Sequence, residues 1–192
     1  DVSQPMATKL ASDRAVEAFK AIDNGASEAG KLKSELLDQI ETVKISGNIA
    51  GGAIDNVKNT INTRYGLSIG KDGNITQAPG RMASVDTKSQ NLISEYTGLL
   101  RQLGQNPTAR QLDDFVDKTQ RMLYKQSSPN LFDVADEPVI AFLKQQTGEI
   151  NSQLKANVDA TLKERGIEGS YSDLNQEYAD LLEINNSLNK RL

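Results

Sequence analysis

The chain of 192 residues contains no His, no Cys and no Trp. Without Cys it forms no disulfides and no thiolate metal sites, and a reducing or an oxidising compartment suits it equally. Without His, a serine nucleophile would have only Lys or a terminal amine as its base. Aromatic residues make up 5% of the chain and hydrophobic residues 37%, which predicts thin helical layers over a lean core. No apolar run approaches the roughly 20 residues that cross a bilayer, and no charged start leads into an apolar stretch of the signal-peptide type, so the chain reads as soluble. The net charge of −4, with both signs mixed along most of the sequence, disfavours nucleic acid and anionic membrane, which would reward clustered Lys and Arg. The start at Asp1 and the end inside a regular repeat at Leu192 read as a processed product or a piece of something longer.

What the chain does have is helical spacing. From about Met6 to Lys44, Leu10, Val16, Phe19, Ile22, Leu32, Leu36, Ile40 and Val43 mark one face of a long helix, with Gly25 and Gly30 as candidate breaks. Ser46 and Gly47 interrupt it, and Ile54, Val57, Ile61 and Tyr65 place a second helix over about Ile49 to Arg64. In Tyr65–Thr76, Leu67 and Ile69 alternate with polar or small residues, and Asp72-Gly73 supplies a turn tolerant of positive φ, which predicts a small β-hairpin. A third helix, capped by Ser84 or Asp86, carries Leu92, Ile93, Tyr96, Leu99, Leu100 and Leu103 up to Gly104. Thr108 and Gln111 have the form of a capping box for a fourth, and the short link Gly104 to Pro107 implies an antiparallel helical hairpin. Ser127–Asn130 breaks that helix, Pro138 opens a fifth that runs to about Arg165, and Ser170 or Ser172 caps the last.

In that last helix Leu174, Tyr178, Leu181, Asn185, Leu188 and Leu192 step by four, three, four, three and four, which is a heptad seam. An Asn at one of its inner positions costs stability but disfavours misregistered partners, because only one alignment gives its amide a mate. Two coverings are open: a second copy of the chain, or an antiparallel helix from the same chain.

The motifs that could carry chemistry are incomplete. Gly47–Gly52 has the glycine spacing of a phosphate-binding loop, but Ala53 and Ile54 stand where its Lys and hydroxyl belong. Asp72 and Asn74 begin like a calcium loop, yet Ala83 occupies the twelfth place, where the bidentate Glu is needed. Carboxylates cluster at Asp113, Asp114 and Asp117, at Asp133, Asp136 and Glu137, and at Glu177, Asp180 and Glu183, so paired-acid cleavage of a carbohydrate is the enzyme reading to keep. That chemistry also needs aromatic platforms and an acid in an apolar pocket, whereas these acids alternate with Lys and Gln. Ser46, Ser84 and Ser170 sit where helix caps belong.

The stretch Leu99–Phe115 resembles helical regions of tailed-phage virion and minor structural proteins, and the hairpin Gly66–Thr76 is similar to short β elements of phage fibre and baseplate chains. The two cover about a quarter of the chain. The resemblance implies a homo-oligomeric piece of a virion and carries over no catalytic residue.

The sequence therefore predicts an all-α protein: an elongated bundle of antiparallel helices with one small β-hairpin and a C-terminal coiled-coil segment. Residues 1–80 would hold the N-terminal helices and hairpin, and residues 81–192 the helical bundle with its C-terminal heptad helix, either as two parts or as one continuous module. The expected role is a non-enzymatic structural or assembly module, with no cofactor, metal or small-molecule substrate. Its partners would be itself or other structural proteins, met through Leu174, Tyr178, Leu181, Asn185, Leu188 and Leu192. A helical module for a host peptide or cell-wall glycan is the alternative from another class.

Overall fold

A computed structural model describes residues 4–126 and 135–189. The described residues form helices α1 (Gln4–Asp38), α2 (Ile49–Tyr65), α3 (Thr87–Leu103), α4 (Ala109–Gln126), α5 (Glu137–Glu164) and α6 (Tyr171–Asn189). Between α2 and α3 lie strands β1 (Leu67–Ile69) and β2 (Ile75–Gln77), paired antiparallel with Ser68 opposite Thr76. The fold is all-α with one small β-hairpin.

Each boundary has a local cause. The chain enters α2 through Gly47 and Asn48, both at positive φ. It leaves at Gly66, also left-handed, whose amide donates to the Asn62 and Ile61 carbonyls. Asp86, not Ser84, caps α3 by accepting from the Ser89 amide at 2.8 Å. Ser84 instead donates its amide to the Tyr65 carbonyl and helps close the end of α2. The capping box of α4 is complete: the Gln111 amide donates to Thr108 Oγ1 at 3.1 Å, and the Thr108 amide donates to Gln111 Oε1 at 2.9 Å. Gly166 at φ 65° ends α5, its amide donating to the Lys163 carbonyl. Ser170 caps α6 by accepting from the Asp173 amide at 3.2 Å. The expected break at Ser127–Asn130 lies outside the described residues.

The chain divides into two compact units, Asp1–Ile40 with Val158–Leu192, and Glu41–Asn157. In the second, α2, α3, α4 and the first part of α5 enclose Val57, Ile61, Leu92, Ile93, Tyr96, Leu100, Leu112, Leu123, Leu143 and Ile150, all essentially without solvent exposure. Tyr96, seven residues before the end of α3, meets Phe115, six after the start of α4, edge to face at 5.7 Å, so the two helices run antiparallel. The Tyr96 hydroxyl finds Thr147 Oγ1 on α5 at 3.0 Å, and burial pushes its pKa well above the ordinary phenol value. The hairpin leans on α3: Arg101 Nη2 donates to the Gly70 carbonyl at 3.1 Å and Ser94 Oγ to the Gly73 carbonyl at 3.3 Å.

The first unit is built from chain ends. Leu36 and Leu37 of α1 and Ile40 in the turn after it are buried, as are Val158 and Leu162 of α5 and Tyr171 of α6. Asp159 of α5 accepts from the Tyr171 amide at 2.8 Å and also bonds the Ser172 hydroxyl, so a side chain from the preceding helix fixes where α6 begins.

Three expectations about α1 need correction. It runs unbroken through Gly25 and Gly30, it ends at Asp38 and not near Lys44, and Val16 and Leu32, read as part of its inner stripe, are 45% and 40% exposed. The inner stripe is Ala26, Ala29, Lys33 and Leu36, spaced by three, four and three, and Ile40, four residues on in the turn past the helix end, continues it. The glycines do not interrupt the helix because their missing side chains receive α6. A Cβ on Gly25 would stand 3.3 Å from Leu181 Cδ1, and one on Gly30 would stand 3.2 Å from Tyr178 Cε2.

Candidate functional site

The seam predicted on α6 faces α1. Going up α1 from Asp23 through Gly25 and Gly30 to Leu36, the partners on α6 and its approach descend from Asn185 through Leu181 and Tyr178 to Gly169, so the pair is antiparallel. Small residues of α1 stand against large ones of α6, which lets the two backbones come close. The Lys33 ammonium lies over the Tyr178 ring, 4.4 Å from its centroid, on an otherwise apolar face.

The cover is partial. Leu174, Tyr178, Leu181 and Asn185 are each half-buried, none fully. The Asn185 amide nitrogen donates to Asp23 Oδ1 at 3.4 Å, while its Oδ1 is shut off from solvent with no hydrogen-bond partner among the described residues. An enclosed oxygen without a donor costs about 1–3 kcal/mol, so this contact favours register more than strength. The Leu188 side chain and the whole of Leu192 lie outside what is described.

One flank of the pair is apolar and open. Leu32 follows Gly25 by seven residues, two turns along the same side of α1. On α6, Leu174 precedes Leu181 by seven residues and Ile184 follows it by three. Since Gly25 and Leu181 meet, all of these fall on one side of the helix pair. Leu32 is 40% exposed and Ile184 45%.

On the α6 side of that flank the charge has one sign. Helix α6 carries Asp173, Glu177, Asp180 and Glu183 and, from Tyr171 to Asn189, no Lys or Arg. All four acids are exposed, and Glu28 and Glu35, each three residues beyond Gly25 or Leu32, continue the acidic rim on α1.

The other candidates dissolve into structure. Asn48 lies directly over Gly51, so the glycine-rich loop makes a close turn into α2. Asp72 closes the hairpin turn, accepting from the Asn74 amide at 3.0 Å, and this bond holds its carboxyl below the usual range. Asp86 is lowered in the same way by the Ser89 amide. Of the carboxylate clusters, Asp113 is buried, Asp117 pairs with Arg121 at 3.2 Å, and Asp136, Glu137, Glu177, Asp180 and Glu183 are exposed. Asp133 lies outside the described residues. Among the described residues no three of His, Cys, Asp and Glu are grouped as a metal site, and no helix is long and apolar enough to cross a membrane. Asp159 and Arg101, which fix α6 and the hairpin, carry no sequence signal, because each acts on a partner far along the chain.

The geometry defines an all-α protein with an exposed apolar flank on a two-helix pair. Comparison with protein-family models, with curated proteins and with solved structures finds no match.

Proposed function

We propose that the protein is a non-enzymatic structural or assembly module that works by burying the outer flank of its α1–α6 pair against a helix of another molecule, either a second copy or another structural protein. The observation that carries this reading is the coincidence of half-buried seam residues with exposed Leu32 and Ile184 on one side of the pair. Two packed helices leave such a flank to water, and a third helix laid along it would bury all four large side chains. At about 25 cal/mol per Å² of apolar surface, the contact is worth several kcal/mol before ordering costs, which suits repeated or high-concentration assembly. The resemblance to helical virion proteins of tailed phages agrees with a role of this kind.

The test reads both kinds of partner. Light scattering at high micromolar concentration detects copies, and anisotropy with labelled amphipathic helical peptides detects another helix. Each is repeated on the Leu32→Asp, Ile184→Asp double variant, whose exposed substitutions leave the inner stripe intact. Assembly or peptide uptake that the variant loses is expected; a wild type that stays monomeric and takes up no peptide sinks the proposal.

A further inference from the structure

We infer that the occupant of the α1–α6 flank is a basic amphipathic helix of another protein, with Lys or Arg bordering its apolar stripe. This rests on the docking role proposed above and names the chemistry of the partner.

The argument is charge complementarity around an apolar strip. Leu174, Leu181 and Ile184 on α6, with Leu32 on α1, form a strip that follows the helix axis for about two turns and more, the length an amphipathic helix presents with residues spaced by three, four and seven. Acids border the strip on both helices: Glu28 three residues past Gly25 on α1, and Glu177 between Leu174 and Leu181 on α6, whereas the bases of this stretch, Lys31 and Lys33, are on α1 alone, with Lys33 turned onto the Tyr178 ring. Helix α6 carries four acids and no base between Tyr171 and Asn189, in a chain whose total net charge is −4.

A second copy laid on this flank would bring the acids of one α6 against those of the other, with no base on α6 to intervene. Like charges at such range cost on the order of 1 kcal/mol per pair near a protein surface and also slow the encounter. A helix flanked by Lys or Arg meets the reverse: its apolar stripe fills the strip while its edges find carboxylates. Rim pairs of that kind contribute little affinity singly, but they raise the association rate and exclude acidic or neutral helices of the same apolar pattern. The apolar strip thus supplies the binding and the acidic edges select the partner.

The experiment uses the full chain and three 21-residue fluorescent peptides of matched helicity. The first has a leucine stripe bordered by Lys, the second the same stripe bordered by Glu, and the third is a scramble of the first, with its charge but no stripe. The Lys-bordered peptide is expected to bind, with affinity falling as salt rises, while the Glu-bordered peptide and the scramble bind at least about tenfold more weakly. Leu32→Gln or Ile184→Gln should weaken the first peptide about tenfold, and Glu28→Lys with Glu177→Lys should shift preference toward the Glu-bordered peptide. Circular dichroism of each variant confirms that α6 is retained.

Equal binding of the scramble, or a Lys-bordered peptide indifferent to Leu32→Gln and Ile184→Gln, would overturn the inference. So would a wild-type dimer in light scattering that Ile184→Gln dissolves, although that outcome leaves the assembly role standing. If neither copies nor any peptide engage the flank, both readings fall together.

Discussion

At the scale of single residues, the cap at Asp86 and the glycines of the helices give the sharpest expectations. Asp86 accepts the Ser89 amide, which holds its carboxyl below the usual range. Its contribution is therefore complete above the unfolded value near 3.8 and is lost as pH falls through the lower folded value. Asp86→Ala should cost about 1 kcal/mol at neutral pH, whereas Asp86→Asn keeps an acceptor and should flatten only the acid limb of the stability curve; urea unfolding from pH 2 to 7 reads both. Glycines inside helices divide by what surrounds them. Gly52 and Gly148 have nothing within 4 Å of a would-be Cβ, so Ala at either should stabilise by up to about 1 kcal/mol. Gly30 faces the Tyr178 ring, and Gly30→Leu should cost about 1–3 kcal/mol through overpacking, visible as a lowered thermal midpoint.

At the scale of elements, the hairpin is two strands of three residues and cannot stand alone in water. Arg101 and Ser94 tie it to α3 through the Gly70 and Gly73 carbonyls. Arg101→Ala should raise amide exchange at Gly70 and Ala78, the ends of the ladder, by about tenfold while leaving the helices protected; unchanged protection would mean the turn holds itself. How much of this was legible follows from range. The capping box at Thr108 and Gln111, the turn at Asp72-Gly73 and the repeat at Leu174–Asn185 are local patterns, and the chain realises each of them. What covers the repeat was not legible, because Ala26 and Ala29 carry little apolar signal and Gly25 and Gly30 read as breaks. Leu32 drew the eye by its size, yet close helix packing selects small residues at the contact, which leaves this large one outside. For the same reason the open flank beside Leu181 could not be read from α6 alone: it needs Leu32, about 150 residues earlier in the chain.

At the scale of the whole molecule, the larger unit is organised around Tyr96, fully buried between Phe115 and Thr147. Removing the ring in Tyr96→Ala should cost about 3–5 kcal/mol, against about 1 kcal/mol for Tyr96→Phe, which loses only a hydrogen bond. Because burial raises the Tyr96 pKa, the folded state favours the protonated phenol. Stability is therefore full below the free value of 10.0 and declines as pH climbs past it, a decline that Tyr96→Phe should lessen. The smaller unit joins Asp1–Ile40 to Val158–Leu192. A ribosome that has just finished α1 must still add residues 39–170 before α6 can begin, a delay on the order of ten seconds at ordinary elongation rates. Throughout that interval the Ala–Gly stripe is without its cis mate, so any preformed α6 from a neighbouring polysome, or a chaperone, competes for it first.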